Sequence, residues 1–452
     1  MGLTAAPAAG RDLGRFAAEL RYDDLPAAVQ EKLRCGLLHD ITCAMAAHTE
    51  GPPLWQLVRG RGPAEATLLS EGGRVDAEHA AFVNAALMHA RAQDDTHFAA
   101  KTHVGSAVVP AALALAEREG ATGAEFVAAV AVGCEVAAAV GERLAAATTA
   151  RGFRASPVFG TLGAAAASAS LRGLDAEGVA NAIAIASSFS GGLNQTWIDG
   201  SSEYRFELGM AARNGVLASQ LAEAGFRGAE HWYEGDAGFA RAFAGDDGRV
   251  DDWQLGARWR SLDVTYKPYP VCAITQSPVQ VAIDLARMHD LAPEDVAAVR
   301  CYLNPADRSY PGTVNAGPFN DIGASLMSAQ FCVAMAIKHR SATLAGLREL
   351  DDPVVLALAA ATEVIGADDL PSLAGRVEIE TSAGATLAGE LVPTAETYGW
   401  DWKGVLRNVD RMEPEMAVDR DALDELQQAV RGLSELESVA PLVAPTIARL
   451  HS

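Results

Sequence analysis

The chain reads as a mainly α protein in two parts: a large all-α domain, then a smaller α+β domain, with the C-terminal segment returning to the first. Three observations predict this. Up to about residue 265, apolar residues recur at helical spacing with no sustained alternation. Beyond Thr275, helical stretches are interleaved with stretches that alternate apolar and polar residues, as half-buried strands do. At 452 residues, the chain is too long for one ordinary core. The expected boundaries are a discontinuous helical domain over 1–265 and 405–452, a junction over 266–274 and an α+β domain over 275–400.

Taken in order, Leu13, Phe16, Ala17 and Leu20 mark a first helix. Val29, Leu33, Leu37, Leu38 and Ile41 mark a second, opened at Leu25-Pro26, where proline is tolerated. Gly51-Pro52-Pro53 breaks the pattern, and 64–75 is short and punctuated by turns. Helical spacing resumes over 77–92, a polar loop covers 93–105, and 107–118 is a short buried helix. Thr122-Gly123-Ala124-Glu125 has the form of a capping box ahead of a long helix ending near 148. Alanine-rich helices follow over 158–171, 176–188 and 205–224. After the junction, 276–289 reads as an amphipathic helix, 296–303 as a strand, and 325–338 and 353–365 as helices. Residues 376–381 and 386–392 alternate around Ser382-Ala383-Gly384-Ala385 as a β-hairpin, and 421–431 returns to helix.

Half the residues are hydrophobic and only 6% aromatic, with alanine and glycine abundant, which favours closely packed helices. A net charge of −22 argues against nucleic acid, and it requires any anionic substrate to be met by a local cluster of Arg and Lys. The six cysteines show no C-x-x-C and no metal-ligand spacing, so free thiols in a reducing cytoplasm are expected. Met1-Gly2-Leu3-Thr4-Ala5 lacks the basic and apolar regions of a secretory signal. The most apolar window, 126–141, is short for a membrane span and carries Glu135. Gly191-Gly192-Leu193-Asn194-Gln195 lacks the strand-turn-helix setting of a nucleotide loop; with no metal-ligand cluster either, neither cofactor nor metal is expected.

The stretch Tyr266-Lys267-Pro268-Tyr269-Pro270-Val271-Cys272-Ala273-Ile274-Thr275-Gln276 lies at the junction, where clefts form. Its prolines bias Lys267 and Tyr269 toward extended backbone, so Lys267 projects from a stiff segment. A lysine desolvated there can serve as acid or base; a solvated linker lysine is the plain alternative. His103 precedes a helix, where it either lines a site or caps the first turn. Asp94 and Asp95 either transfer protons or position His103 through backbone hydrogen bonds, and His97 faces the same cleft or solvent. Arg154 offers a fixed charge and a fork for a carboxylate, with Arg205 a weaker candidate that an ion pair could equally explain. Tyr204 and Tyr269 either donate to a developing enolate or pack as half-buried aromatics.

Several stretches then fall into a familiar order: Leu37-Leu38-His39-Asp40, Phe82-Val83-Asn84-Ala85, Asp94-Asp95-Thr96 and Thr102-His103-Val104-Gly105-Ser106 with the apolar run after it. Gly152-Phe153, Gly209-Met210-Ala211-Ala212, Glu234-Gly235-Asp236-Ala237-Gly238-Phe239 and Tyr266-Lys267-Pro268-Tyr269-Pro270 complete the set. Their order and spacing resemble the MmgE/PrpD family over nearly the whole chain. The resemblance implies a helical domain of discontinuous sequence, an α+β lid domain, a homodimer, and cofactor-free acid–base chemistry on small carboxylic acids. It matches Lys267, Thr96 and His103. It also marks departures. Arg154, Tyr204, Glu207 and Gln276 stand where dehydratase and decarboxylase members carry histidine or lysine, and Ala92 where the decarboxylase branch carries a carboxylate.

The function these readings imply is a cofactor-independent lyase or isomerase working beside a carboxylate or carbonyl of a small organic acid or specialised metabolite, away from plain methylcitrate dehydration. Lys267, His103, Tyr204 and Asp94 are the catalytic candidates; Arg154, Arg205, Thr96, Tyr269 and Gln276 are the substrate-binding ones. The alternatives are an epimerase of an iminodisuccinate-like dicarboxylate, or a non-catalytic binder on the same scaffold.

Overall fold

Capping chemistry and small residues set the helices of the first part. In the structure, a computed structural model that describes residues 9–448, the helix Gly123–Ala150 opens on the expected capping box. Thr122 Oγ1 accepts from Glu125 N at 3.2 Å, and the Glu125 carboxylate accepts from Thr122 N at 2.8 Å. The helix is longer and more apolar than the 126–141 window suggested, enough to cross a bilayer on length and composition alone. Its residues are nonetheless buried among neighbouring helices. It crosses Ala155–Leu171 where Gly133 meets Gly163. A Cβ on either would stand 2.8 or 2.5 Å from the other's carbonyl oxygen, so the close approach needs glycine at both. The expectation about Met1 to Ala5 falls outside the described residues.

One core joins the helices Ala9–Glu19, Ala27–Ala46, Val104–Glu119, Gly123–Ala150 and Ala155–Leu171. Two C-terminal helices, Trp402–Met412 and Arg420–Arg431, bring Val405, Val409, Leu423 and Leu426 into that same core. A second core packs Gln276–Met288 and Ala329–His339 against a four-stranded sheet. Val296–Leu303 pairs parallel with Thr362–Gly366 and antiparallel with Gly375–Thr381, which pairs antiparallel with Thr386–Leu391. The other face carries Arg300, Tyr302, Arg376, Glu378, Glu380 and Glu390, several of them paired across the strands.

Four local expectations change. The region 353–365 is a helix only over Pro353–Ala360; β-branched Thr362, Val364 and Ile365 then enter the sheet. The helix over 325–338 is interrupted at Ser328, whose hydroxyl caps Ala329–His339 by accepting from Phe331 N. Gly51-Pro52-Pro53 starts the helix Gly51–Val58, since prolines in a first turn forfeit no helical hydrogen bond. Trp402–Met412 is a helix that the sequence reading passed over.

A two-residue pairing matters most for the site. Thr96–His97 runs antiparallel to Val264–Thr265, tying the polar loop to the start of the junction. Lys267 is thereby set beside Asp94.

Candidate active site

The polar loop is held from below by the helix Ala27–Ala46. A ring nitrogen of His39, Nε2, lies 2.8 Å from the Gln93 carbonyl, and Asp40 accepts from Asp95 N at 3.0 Å. Asp95 in turn accepts from Gly105 N at 3.0 Å, in the first turn of Val104–Glu119. A side chain at 105 would strike Asp40, so glycine is required for this stack of carboxylates to fit under the helix.

Above this platform lies a cavity of about 460 Å³. Thr96, Lys101 and His103 of the loop line it, with Arg154, Ala155 and Ser156 at the start of Ala155–Leu171. Lys267 and residues 272–274 of the junction form a further wall, and Asp307, Tyr310, Met327 and Leu373 face them from the second part. Arg154, the N-cap of Ala155–Leu171, gives that helix no side-chain cap, so its electropositive end is turned to the cavity.

Asp94 is the hub, fully buried just behind the wall. One oxygen accepts from Lys267 Nζ at 3.5 Å and lies 3.8 Å from His103 Nδ1. The other accepts from Ser106 Oγ at 2.5 Å and lies 2.7 Å from His89 Nδ1. Burial works against this carboxylate, yet the electropositive surroundings from His89, His103 and Lys267 outweigh it and hold it well below the usual range. Burial pushes His89 down to about 4 and His103 well below its ordinary value, Lys267 adding to the second shift, so both rings are neutral. His103 Nδ1 lies 2.7 Å from the Asp95 carbonyl, an acceptor only; the hydrogen therefore sits on Nδ1, and Nε2 keeps its lone pair. On His89, Arg154 Nη2 can only donate to Nε2, which places the hydrogen on Nδ1, toward Asp94. The result is a chain of fixed polarity: Arg154 to His89 to Asp94, with Lys267 on the far oxygen.

Of the residues singled out from sequence, Lys267, His103, Thr96 and Arg154 line the cavity, and Asp94 orders them from behind. Arg154 is less free than a carboxylate anchor should be. Its Nη1 donates to Glu207 at 2.9 Å and to the Tyr204 carbonyl, and its guanidinium lies over the Trp197 ring, 4.7 Å from the centroid.

Four candidates fall outside the cavity lining. The Tyr204 hydroxyl donates to the Ala90 carbonyl at 2.6 Å, in a setting whose burial raises the phenol to about 12. Arg205 pairs with Glu50 at 2.5 Å and with Asp321 at 3.4 Å. Tyr269 gives its hydroxyl to Gln280 at 2.7 Å. Gln276 accepts from Tyr269 N at 3.1 Å and donates to the Tyr269 and Val271 carbonyls at 2.9 and 2.8 Å, stapling the proline turn. His97 faces neither cleft nor solvent; it is buried 3.7 Å from Glu142.

Sequence reasoning missed His89, Lys101 and Tyr310. A single histidine at the end of an apolar helix looks like any core histidine. The one available hint was its place five residues before Asp94, across the end of Ala77–His89. Sequence spacing also gave no metal-ligand cluster, whereas the fold brings ligand atoms of His89, Asp94 and His103 within 4.8 Å of one another. The donor set suits a cation poorly. Both Asp94 oxygens are engaged, and Lys267 and Arg154 already supply positive charge there.

Comparison with known proteins agrees with this architecture. The cis-aconitate decarboxylase of Aspergillus terreus is 26% identical over 466 residues, covering 96% of this chain and 94% of its own length. The cis-aconitate decarboxylase-like protein oryM of Aspergillus oryzae is 29% identical over 57% of each chain. Human cis-aconitate decarboxylase is 32% identical over 44% of this chain and 42% of its own. Residues 11–250 match the MmgE/PrpD N-terminal domain and residues 269–394 the MmgE/PrpD C-terminal domain; the chain belongs to the MmgE/PrpD family.

Proposed function

We propose that this chain is a cofactor-independent lyase acting on a small organic acid, in the manner that its decarboxylase relatives' names imply. The observation that carries the reading is the state of His103: a neutral ring with Nδ1 fixed by the Asp95 carbonyl and Nε2 left to the cavity, next to the Lys267–Asp94 pair. A neutral imidazole is a base in its resting form, and an ammonium is an acid. His103 takes a proton from the carbon beside a carboxylate, and the electron pair spreads onto oxygen as an enolate. Lys267 and the open helix end stabilise that charge. A β-group then leaves with the pair, its proton supplied by Lys267. In a decarboxylation the pair comes from the breaking C–CO2 bond instead, and Lys267 protonates the carbon.

The lyase reading is preferred to an epimerase because the relatives are named as decarboxylases. The homodimer expected from sequence belongs to the same proposal.

Incubation with a panel of unsaturated and hydroxylated di- and tricarboxylic acids in D2O tests the reading. The expected result is consumption of one acid with deuterium in its product. An acid that raises the thermal midpoint with neither turnover nor exchange would make the chain a binder.

A further inference from the structure

A second cavity, of about 240 Å³, adjoins the first across the junction and shares none of its lining residues. Pro268, Tyr269 and Pro270 form one wall; Arg91, Arg411 and Glu415 come from the first part, and Arg287 from the end of Gln276–Met288. We propose that this cavity is a binding site for a small dianion of the phosphate or dicarboxylate type.

Arg91 is fully buried and has its donors committed to Gln93 Oε1, the Ala46 carbonyl and Glu415, the last at 2.8 Å. Arg91 and Glu415 therefore cancel as a pair. Arg287 and Arg411 remain, and neither has a carboxylate within ion-pair distance among the described residues. Two guanidinium groups with no acid within ion-pair distance line one small cavity in a chain of net charge −22. That residue of positive charge matches a dianion. The forked donors of arginine suit the oxygens of a phosphate or carboxylate better than a lysine would.

Arg411 is also held in place before any ligand arrives. Its Nη1 donates to the Pro268 carbonyl at 3.3 Å and to Asn408 Oδ1 at 3.1 Å, and its guanidinium sits over the Tyr269 ring, 5.2 Å from the centroid. At about half the volume of the first cavity, this one suits a compact ion of the size of phosphate or succinate. The position gives binding a consequence. Gln93 donates to the Pro268 carbonyl at 2.9 Å and Asn408 to the Lys267 carbonyl at 3.3 Å, so the walls of this cavity also brace the backbone of Lys267. Gln93 is the chain neighbour of Asp94. An ion bridging Arg411 in the first part to Arg287 in the second fixes their spacing at the point where Lys267 is hung.

Calorimetric titration of the full chain with inorganic phosphate, and separately with succinate, tests the site and separates the two sources. Saturable binding of one of them is expected. Arg287→Glu, a change on an exposed helix end, should raise its Kd at least about tenfold, and Arg287→Ala by roughly threefold. Lys267→Met, which alters only the other cavity, should leave Kd within about twofold. Two results overturn the proposal: no saturable binding of either anion up to on the order of 10 mM, or binding lost in Lys267→Met and kept in Arg287→Glu, which would put the anion in the catalytic cavity. No arm depends on turnover, so the outcome stands apart from the lyase reading.

Discussion

Two clusters of histidine and carboxylate flank the polar loop, alike in composition and unlike in what they can do. His89, Asp94 and His103 bring ligand atoms within 4.8 Å of one another, and so do His97, Glu142 and Asp263. Each has two cations beside it: Lys267 and Arg154 in the first, Arg258 and Arg260 in the second. In the second, Glu142 receives Arg258 at 2.7 Å and Arg260 at 2.8 Å, and His97 accepts from Ala100 N at 3.2 Å while its Nε2 is buried without a partner. That cluster is a structural clasp between Gly123–Ala150 and the segment before the junction. In the first cluster the hydrogen bonds run inward to Asp94 and one ring nitrogen, His103 Nε2, is left at a cavity wall. Residue types do not make the site. An unspent valence with room in front of it does.

Disabling one member of each cluster separates their roles. Lys267→Met should lower kcat by roughly two to four orders of magnitude with little change in KM, since the proposed chemistry needs its charge as the enolate forms. Glu142→Gln should leave kcat within about threefold and lower the thermal midpoint instead, because it strips Arg260 of its buried counter-charge. Kinetics and melting curves on both variants decide it. Equal kinetic losses in the two would mean that the clusters do not differ in role.

A smaller effect separates binding from positioning within the first cluster. With Nη1 on Glu207 and the Tyr204 carbonyl and Nη2 on His89, Arg154 acts as a positioning residue for His89. Arg154→Lys keeps a charge and loses the fork, so kcat should drop by about tenfold while KM stays within about twofold. A KM that rises more than kcat falls would return Arg154 to the substrate's carboxylate, the role its fork suggested from sequence.

What was legible beforehand follows a physical line. Local signals carried through: the Thr122–Glu125 capping box, the strand Val296–Leu303, and the hairpin turned at Gly384, whose φ of +84° suits glycine. The 353–365 run did not, because a short apolar stretch is periodic enough for either helix or strand until its neighbours are known. In the site, Lys267 was legible because two prolines announce a stiff backbone, and Asp94 because it stands in a polar loop. Tyr204, Tyr269 and Gln276 have the same chemistry as the residues that line the cavity. Only long-range packing turns their polar ends to Ala90, Gln280 and the Tyr269 backbone. His89 was hidden by the converse effect, a polar residue buried on an apolar helix and made useful by a loop that folds back over it.

The smallest expected effect concerns the platform beneath the first cluster. Burial, and then the neighbouring Asp94 charge, push the Asp95 carboxyl from its ordinary 3.8 up to about 8, while the hydrogen bond from Gly105 N opposes the shift. Asp40 beside it is raised as well, by burial first and then by Asp95. The sign of the consequence follows from proton counts. Below about pH 4 both folded and unfolded chains hold the Asp95 proton; between about pH 4 and pH 8 the unfolded chain has released it and the folded chain has not. Stability contributed by this group therefore falls as pH rises across that window and levels off above it. Asp95→Asn keeps an oxygen to accept from Gly105 N and removes the titration. Between about pH 5 and about pH 8 the wild-type midpoint should fall relative to that of Asp95→Asn, a difference in which the opposing titration of the buried His89 and His103 cancels. Melting curves across that range read it directly, and an unchanged slope would show that Asp95 is ionised in the folded protein and that the loop rests on a charged platform.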